Sequence, residues 1–253
     1  MKRRLGQHFL FEPQILERIV SSAGLGREDL VVEIGPGKGR MTEMLARQAG
    51  RVIAIEYDRY LCEELKTRIG NVKNIEIVCE DVLRYPFNAL PPFKVVANIP
   101  YYITTPIIFK LLEGGVRLET ATLTVQKEVA ERIIALPGGK DYGVLSLMVQ
   151  YYTEPAILFY ISRKAFVPPP KVDSAVIHLR RRERPPVIVS DEAMLFRVIK
   201  TAFSQRRKTL SNALKPLSRN IRDILEELGI DPKRRAETLT IEDFARITEA
   251  LKG

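Results

Sequence analysis

Leu30-Val31-Val32-Glu33-Ile34-Gly35-Pro36-Gly37-Lys38-Gly39 is an apolar run of strand length that ends in a glycine-rich turn. A helical pattern follows, with Met41, Met44 and Leu45 on one side. The same unit recurs downstream. Arg51–Ile55 predicts a second strand ending at Glu56, and Asp58 caps a helix carrying Leu61, Leu65 and Ile69. Ile75–Val78 predicts a third strand, ending at Glu80-Asp81, and Lys94–Ala97 a fourth, ending at Asn98. Thr105-Pro106 reads as an N-cap with proline at N1, opening a helix over Ile107–Leu112. Ala121–Val125, Ala156–Ile161 and Ala175–Leu179 complete seven strands, with helices expected over Lys127–Ala135 and Tyr142–Tyr152. Strands alternating with helices through short turns imply an α/β domain built on a mostly parallel sheet. In such folds, ligands lie beyond the carboxyl ends of the strands. Gly35, Glu56, Asp81 and Asn98 each follow a strand there.

Arg180–Pro186 reads as a charged, proline-containing linker. Beyond it the pattern is helical, over Met194–Phe203, Ile221–Leu228 and Ile241–Leu251, with Thr240 and Asp243 spaced as a capping box. The expected domains are 1–180, α/β, and 187–253, all-helical.

The chain has 253 residues, 45% hydrophobic and 28% charged, enough for a core without staples. Two cysteines, Cys62 and Cys79, give no disulfide framework, and both read as small apolar residues. Two histidines and two cysteines, far apart, supply no zinc ligand set, so no metal is expected. Glu12 and Pro13 interrupt the apolar stretch after the basic start, which excludes a signal peptide, and no stretch spans a bilayer. A cytoplasmic protein is expected. The net charge of +9 is focused: residues 1–4, 180–184 and 187–253 each carry three excess positive charges, whereas 5–179 is neutral. That focusing suits a polyanion's phosphates as well as simple solubility.

A glycine-rich turn lets a ligand approach the backbone, and Glu56 is placed to accept hydrogen bonds from ribose hydroxyls. Both features fit NAD or S-adenosylmethionine. Three others favour S-adenosylmethionine. The turn is Gly-Pro-Gly-Lys-Gly rather than the spacing of a dinucleotide site, and Asp81 can accept from an adenine amino group. The third is Asn98-Ile99-Pro100-Tyr101, which suits methyl transfer to a planar amine. Adenine N6 is a poor nucleophile because its lone pair is delocalised. The Asn98 side-chain carbonyl and the Ile99 backbone carbonyl can accept its hydrogens, Tyr101 can stack on the extruded base, and Pro100 stiffens the segment.

Asn98-Ile99-Pro100-Tyr101 resembles the Asn-[Leu/Ile]-Pro-Tyr motif of the rRNA adenine dimethyltransferases. Gly6-Gln7-His8-Phe9-Leu10 resembles their N-terminal motif, with His8 where asparagine is more usual. Phe166–Ser174 looks like their late loop, and Phe203–Leu210 like the helical-domain motif of the KsgA-type branch. The resemblance spans residues 3 to about 250. It implies a Rossmann-like class I methyltransferase fold and dimethylation of two adjacent adenines in the 3′-terminal hairpin of small-subunit rRNA, with S-adenosylmethionine as cofactor. It also implies immature small ribosomal subunits as partner, a monomer, and a possible place in ribosome biogenesis as an assembly checkpoint.

By position, the implied cofactor contacts are Gln7, His8, Leu10, Gly35, Gly37, Glu56, Asp81 and Asn98. Phe166 is implied as the second aromatic wall of the base pocket, against the alternative of an apolar anchor before a proline run. Arg206, Arg207 and Lys208 either contact phosphates or form a solvated, acid-paired helix face. Lys2, Arg3 and Arg4 order on cofactor or RNA, or stay mobile. Competing readings are the related large-subunit rRNA methyltransferase that confers macrolide resistance, and a non-catalytic RNA-binding or assembly factor.

Overall fold

In the computed structural model, which describes residues 8–205 and 207–252, each apolar run of the first half becomes a strand. The strands are β1 (Phe9–Leu10), β2 (Leu30–Ile34), β3 (Arg51–Glu56), β4 (Ile75–Cys79), β5 (Phe93–Asn98), β6 (Leu118–Gln126), β7 (Thr153–Ile161), β8 (Phe166–Val167) and β9 (Ser174–Arg181). The helices are α1 (Pro13–Ser22), α2 (Arg40–Gln48), α3 (Arg59–Ile69), α4 (Thr104–Leu112), α5 (Lys127–Ile134), α6 (Val144–Tyr152), α7 (Glu192–Phe203), α8 (Leu210–Leu214), α9 (Ile221–Glu227) and α10 (Ile241–Ala250).

Seven strands form one sheet in the order β4-β3-β2-β5-β6-β9-β7. The pairs from β4 to β6 are parallel, and β9 runs antiparallel to β6. All five residues of β2 are buried, as expected of a central parallel strand covered on both faces. Each fully buried valine or isoleucine there contributes roughly 1.5–3 kcal/mol. The chain leaves β2 toward β3 and β4, then returns to place β5 on the other side of β2. That reversal is the switch point at which open α/β sheets form their ligand crevice. Gly35 and Asn98 stand there.

The two-residue strands form a separate ribbon. Phe9 is opposite Val167 and Leu10 opposite Phe166, antiparallel. The ribbon joins the N-terminal motif to the late loop.

The structure differs from the sequence-based expectation in several places, β7 for one beginning at Thr153 rather than Ala156. Helix α4 begins at Thr104, with Ile103 as N-cap, so Pro106 stands at the third helical position. Proline is tolerated there because the first N–H groups of a helix have no intrahelical partner. β6 is longer than Ala121–Val125 at both ends. The cysteines are not two separate apolar residues: Cys62 of α3 and Cys79 of β4 are joined by a disulfide, with Cα atoms 5.8 Å apart.

A further difference concerns the domains. The chain forms two compact units, the first from residues up to Ala130 with Glu154–Arg181, the second from Glu131–Thr153 with the residues from Arg182 onward. Glu131–Thr153 was expected within 1–180, but Tyr142, Leu147 and Tyr151 are buried against the apolar faces of α7, α8 and α10. The Tyr151 and Phe196 rings meet edge to face at 5.3 Å. Arg182 is not a free linker residue. Its Nε donates to the carbonyls of Gln150 and Thr153 at 3.0 and 3.1 Å, where the end of α6 leaves acceptors open. The capping box of α10 is formed, with Thr240 and Asp243 bonding each other's backbone N–H. No described helix is long and apolar enough to cross a membrane.

Candidate functional site

Two adjoining cavities open at the carboxyl ends of β2 and β5, sharing Phe9, Gly35 and Asn98. One has Glu33, Leu10, Lys38 and Met41 in its wall, and the other His8, Gly37, Glu56 and the segment Ile99–Tyr101. Residues from the β1 strand, the β2 turn, the tip of β3 and the tip of β5 thus converge.

The turn after β2 works through backbone geometry. Gly35 has φ +70°, and a Cβ there would have Pro100 Cδ at 3.8 Å and the Asn98 carbonyl oxygen at 4.0 Å as its nearest neighbours. A side chain at that position would enter the cavity. Gly37 has φ +55°, and a Cβ would come within 2.8 Å of the Phe9 ring. Only glycine fits both places without strain.

Glu56 is 4% exposed and ties two loops together. Its Oε2 accepts the Gly37 N–H at 3.1 Å and its Oε1 the Asp58 N–H at 2.9 Å. Each carboxylate oxygen keeps a lone pair for a ligand hydroxyl. Burial raises its pKa, with the Asp58 and Gly37 hydrogen bonds pulling the other way. Asp81 is half-buried, outside both cavity walls, and its Oδ1 accepts the Leu83 N–H at 3.0 Å.

At the tip of β5, the Asn98 Nδ2 donates to the His8 carbonyl at 3.2 Å, which leaves the side-chain carbonyl free to accept. Ile99 is buried and held by its N–H to the Thr124 carbonyl at 3.2 Å, while its own carbonyl accepts no hydrogen bond among the described residues. The Tyr101 hydroxyl bonds Ser174, which fixes the ring. Burial raises the Tyr101 pKa, the Ser174 contact opposing it, so the phenol stays neutral near pH 7.

His8 lies with its ring centroid 5.6 Å from that of Tyr101. Its Nδ1 is 2.7 Å from the Pro168 carbonyl; a carbonyl only accepts, so Nδ1 carries the proton. Leu10 is buried in the core and also reaches the first cavity. Phe166 is 1% exposed, packed in the same core cluster as Leu10, Leu16 and Ile161, and outside both cavity walls. The anchoring alternative describes its position here. In the second unit, Arg207 and Lys208 are exposed and have no carboxylate partner among the described residues. Gln7, Lys2, Arg3, Arg4 and Arg206 lie outside the described residues.

Sequence reasoning missed Glu33. It is 1% exposed, its Oε2 has no hydrogen-bond partner, and it borders the cavity. Burial pushes its pKa up to about 8, Thr42 lowering it and the charge of Glu56 raising it further. The available signal was an acid within an otherwise apolar strand. Tyr102 was missed too: it is exposed, and after burial its pKa is raised by Tyr57, Asp81 and Glu56, which places it near the acids of the site. No group of three or more potential metal ligands occurs among the described residues.

Such a cleft suits S-adenosylmethionine. A buried carboxylate whose Oε2 has no partner, that of Glu33, stands in the cavity wall, glycine leaves room against the backbone, and Glu56 can accept from a ribose.

Residues 1–252 match the family model described as Ribosomal RNA adenine dimethylase. The "Ribosomal RNA small subunit methyltransferase A" of Moorella thermoacetica is 47% identical over 266 residues, covering 99% of this chain and 92% of that protein. Among solved structures, a dimethyladenosine transferase from Plasmodium falciparum is 30% identical, covers 95% of this chain and 96% of its own, and has a TM-score of 0.81. The 23S rRNA methyltransferase ErmE is 30% identical, covers 97% of this chain and all of its own, and has a TM-score of 0.72.

Proposed function

This chain belongs to the ribosomal RNA adenine dimethylase family, and we propose that it dimethylates N6 of two adjacent adenines in the 3′-terminal hairpin of small-subunit rRNA. Its cofactor is S-adenosylmethionine, which when bound supplies an electrophilic methyl group on a sulfonium. The observation that carries the reading is the arrangement of Asn98: with Nδ2 committed to the His8 carbonyl, Oδ1 is left to accept. Asn98 Oδ1 and the Ile99 carbonyl accept the two N6 hydrogens and draw the nitrogen toward a tetrahedral, nucleophilic geometry. The Tyr101 ring, held by Ser174, stacks on the extruded base, an interaction worth about 1–3 kcal/mol. Glu56 orients the ribose, Asp81 accepts from the adenine amino group of the cofactor, and Glu33 gives the cationic ligand a counter-charge. Positioning and electrostatics do the work, and the displaced proton leaves to water. Phe166 acts first by packing the β1–β8 ribbon. As a second wall of the base pocket, its ring would have to turn out of the core.

The protein works as a cytoplasmic monomer, and Arg207 and Lys208 contact RNA phosphates. Its partner is the immature small ribosomal subunit, and holding that subunit until both adenines are modified would make it an assembly checkpoint. The higher identity to a small-subunit enzyme than to the 23S enzyme favours the small-subunit target. The presence of Glu56, Asp81 and Asn98–Tyr101 argues against a binding factor that has lost catalysis. The test is incubation with undermethylated small subunits and labelled cofactor, then mass mapping of the RNA. Two adjacent dimethyladenines in the small-subunit hairpin are expected. Label confined to large-subunit RNA, or no transfer to either, would overturn the reading.

A further inference from the structure

We propose that Cys62 and Cys79 are an exchangeable thiol–disulfide pair whose oxidation tightens the cofactor site, Cys79 being the sulfur that incoming thiols attack. The inference rests on reading the strand-tip cleft as the cofactor site.

The bond closes a ring of contacts around Glu56. On one side, the Asp58 N–H donates to Glu56 Oε1 at 2.9 Å, and Asp58 is the N-cap of α3. Cys62 stands in the first turn of that helix, its N–H bonded to the Asp58 carbonyl at 2.9 Å. On the other side, Cys79 is the register partner of Glu56 across the β3–β4 ladder. The next residue, Glu80, donates its N–H to the Glu56 carbonyl at 3.1 Å, and Asp81 follows. The disulfide is therefore a covalent cross-link, besides the main chain, between the helix start that orients the Glu56 carboxylate and the strand end that presents Asp81. Opening it leaves only the intervening main chain, hydrogen bonds and packing to hold those two segments together. A site whose groups are held in place before the ligand arrives binds more tightly.

The two cysteines differ in access. Cys62 is fully buried at 0% exposure, whereas Cys79 is exposed. An external thiolate attacks Cys79 Sγ, the sulfur–sulfur bond breaks, and Cys62 leaves as thiolate and takes up a proton. A second external thiolate then displaces Cys79 from the mixed disulfide. In sum, two low-molecular-mass thiols are oxidised to their disulfide and the protein gains two thiols. The reverse, with a low-molecular-mass disulfide as oxidant, closes the bond. In the compartment where ribosomal RNA is modified, glutathione-type thiols keep cysteines reduced, and a disulfide there is typically a redox-responsive one.

The test uses the full chain in two states, oxidised with excess glutathione disulfide and reduced with dithiothreitol, each verified by counting free thiols. Calorimetric titration with S-adenosylhomocysteine measures affinity. The oxidised protein is expected to bind roughly fivefold or more tightly than the reduced one. The Cys62→Ser/Cys79→Ser protein is expected to bind like the reduced form under both conditions. Under limiting glutathione disulfide, Cys62→Ser should carry the mixed disulfide on Cys79, read by mass spectrometry. Equal affinity of the two verified states, or failure of the thiols to interconvert, would overturn the proposal and leave a bond of structural use only. If neither state binds the probe, the cofactor reading of the cleft falls and takes this inference with it, which separates the two failures.

Discussion

Binding of S-adenosylmethionine should expel a proton from Glu33. In the free protein its pKa is pushed up to about 8, by burial first and by the nearby Glu56 charge. At pH 7 the group is then roughly 90% protonated. A unit positive charge at about 4 Å, at an effective dielectric of about 20, stabilises a carboxylate by about 4 kcal/mol. An opposite charge lowers an acid's pKa, so in the bound form it falls below 7 and the carboxylate is ionised at pH 7. Most of one proton should leave per ligand bound. The assay is titration calorimetry at pH 7 in buffers of low and high ionisation enthalpy, whose slope counts protons. Glu33→Gln should bring the slope toward zero. A zero slope in the unmodified protein, or an equal slope in Glu33→Gln, would refute the reasoning. The same shift has a consequence for stability. An acid whose folded pKa is raised contributes fully below its unfolded pKa near 4.5, and that contribution is lost as pH rises through about 8. Urea unfolding of Glu33→Gln should therefore vary less between pH 5 and 8 than that of the parent.

Asn98→Ala should lose at least about 2–3 kcal/mol of transition-state stabilisation, seen in single-turnover transfer rates, while RNA affinity by filter binding stays within about threefold. An equal loss of both would count against its role in the chemistry. Replacing Arg207 and Lys208 together by glutamine should reduce the salt slope of RNA binding by about two, and an unaltered slope would remove them as phosphate contacts. Phe166→Ala should cost about 3–5 kcal/mol in denaturant unfolding, the amount typical of a large core residue. A loss under about 1 kcal/mol would place the ring outside the core.

Much of this was legible because apolar runs of strand length each end in a polar residue. LVVEI, RVIAI and KVVA mark β2, β3 and β5, and Gly35, Glu56 and Asn98 are where they stop. What escaped was set by neighbours distant in sequence. Nothing local to Phe9 or Val167 says that they face each other in a ribbon. Cys62 and Cys79 are 17 residues apart, and only the packing of α3 beside β4 makes them partners. Glu33 passed as one more strand residue because an acid in an apolar run marks a buried charge only once both faces of the strand are known to be covered. Glu131–Thr153 belongs with the later helices because Tyr142 and Tyr151 find their apolar partners there. Tyrosines carry both an apolar body and a polar tip, which blurs helical periodicity. Thr105-Pro106 suggested a cap because proline favours N1, but the helix starts two residues earlier, after the turn closed by the Pro100–Ile103 hydrogen bond.

The most direct test is a crystal structure of the full chain with S-adenosylhomocysteine and a nucleoside bearing a free adenine amino group. The account predicts the ribose of the cofactor product on Glu56, its sulfur facing Asn98, and the added adenine stacked on Tyr101 with N6 within hydrogen-bond reach of Asn98 Oδ1. Density for the cofactor product elsewhere on the protein, or Asn98 and Tyr101 turned away from its sulfur, would contradict it.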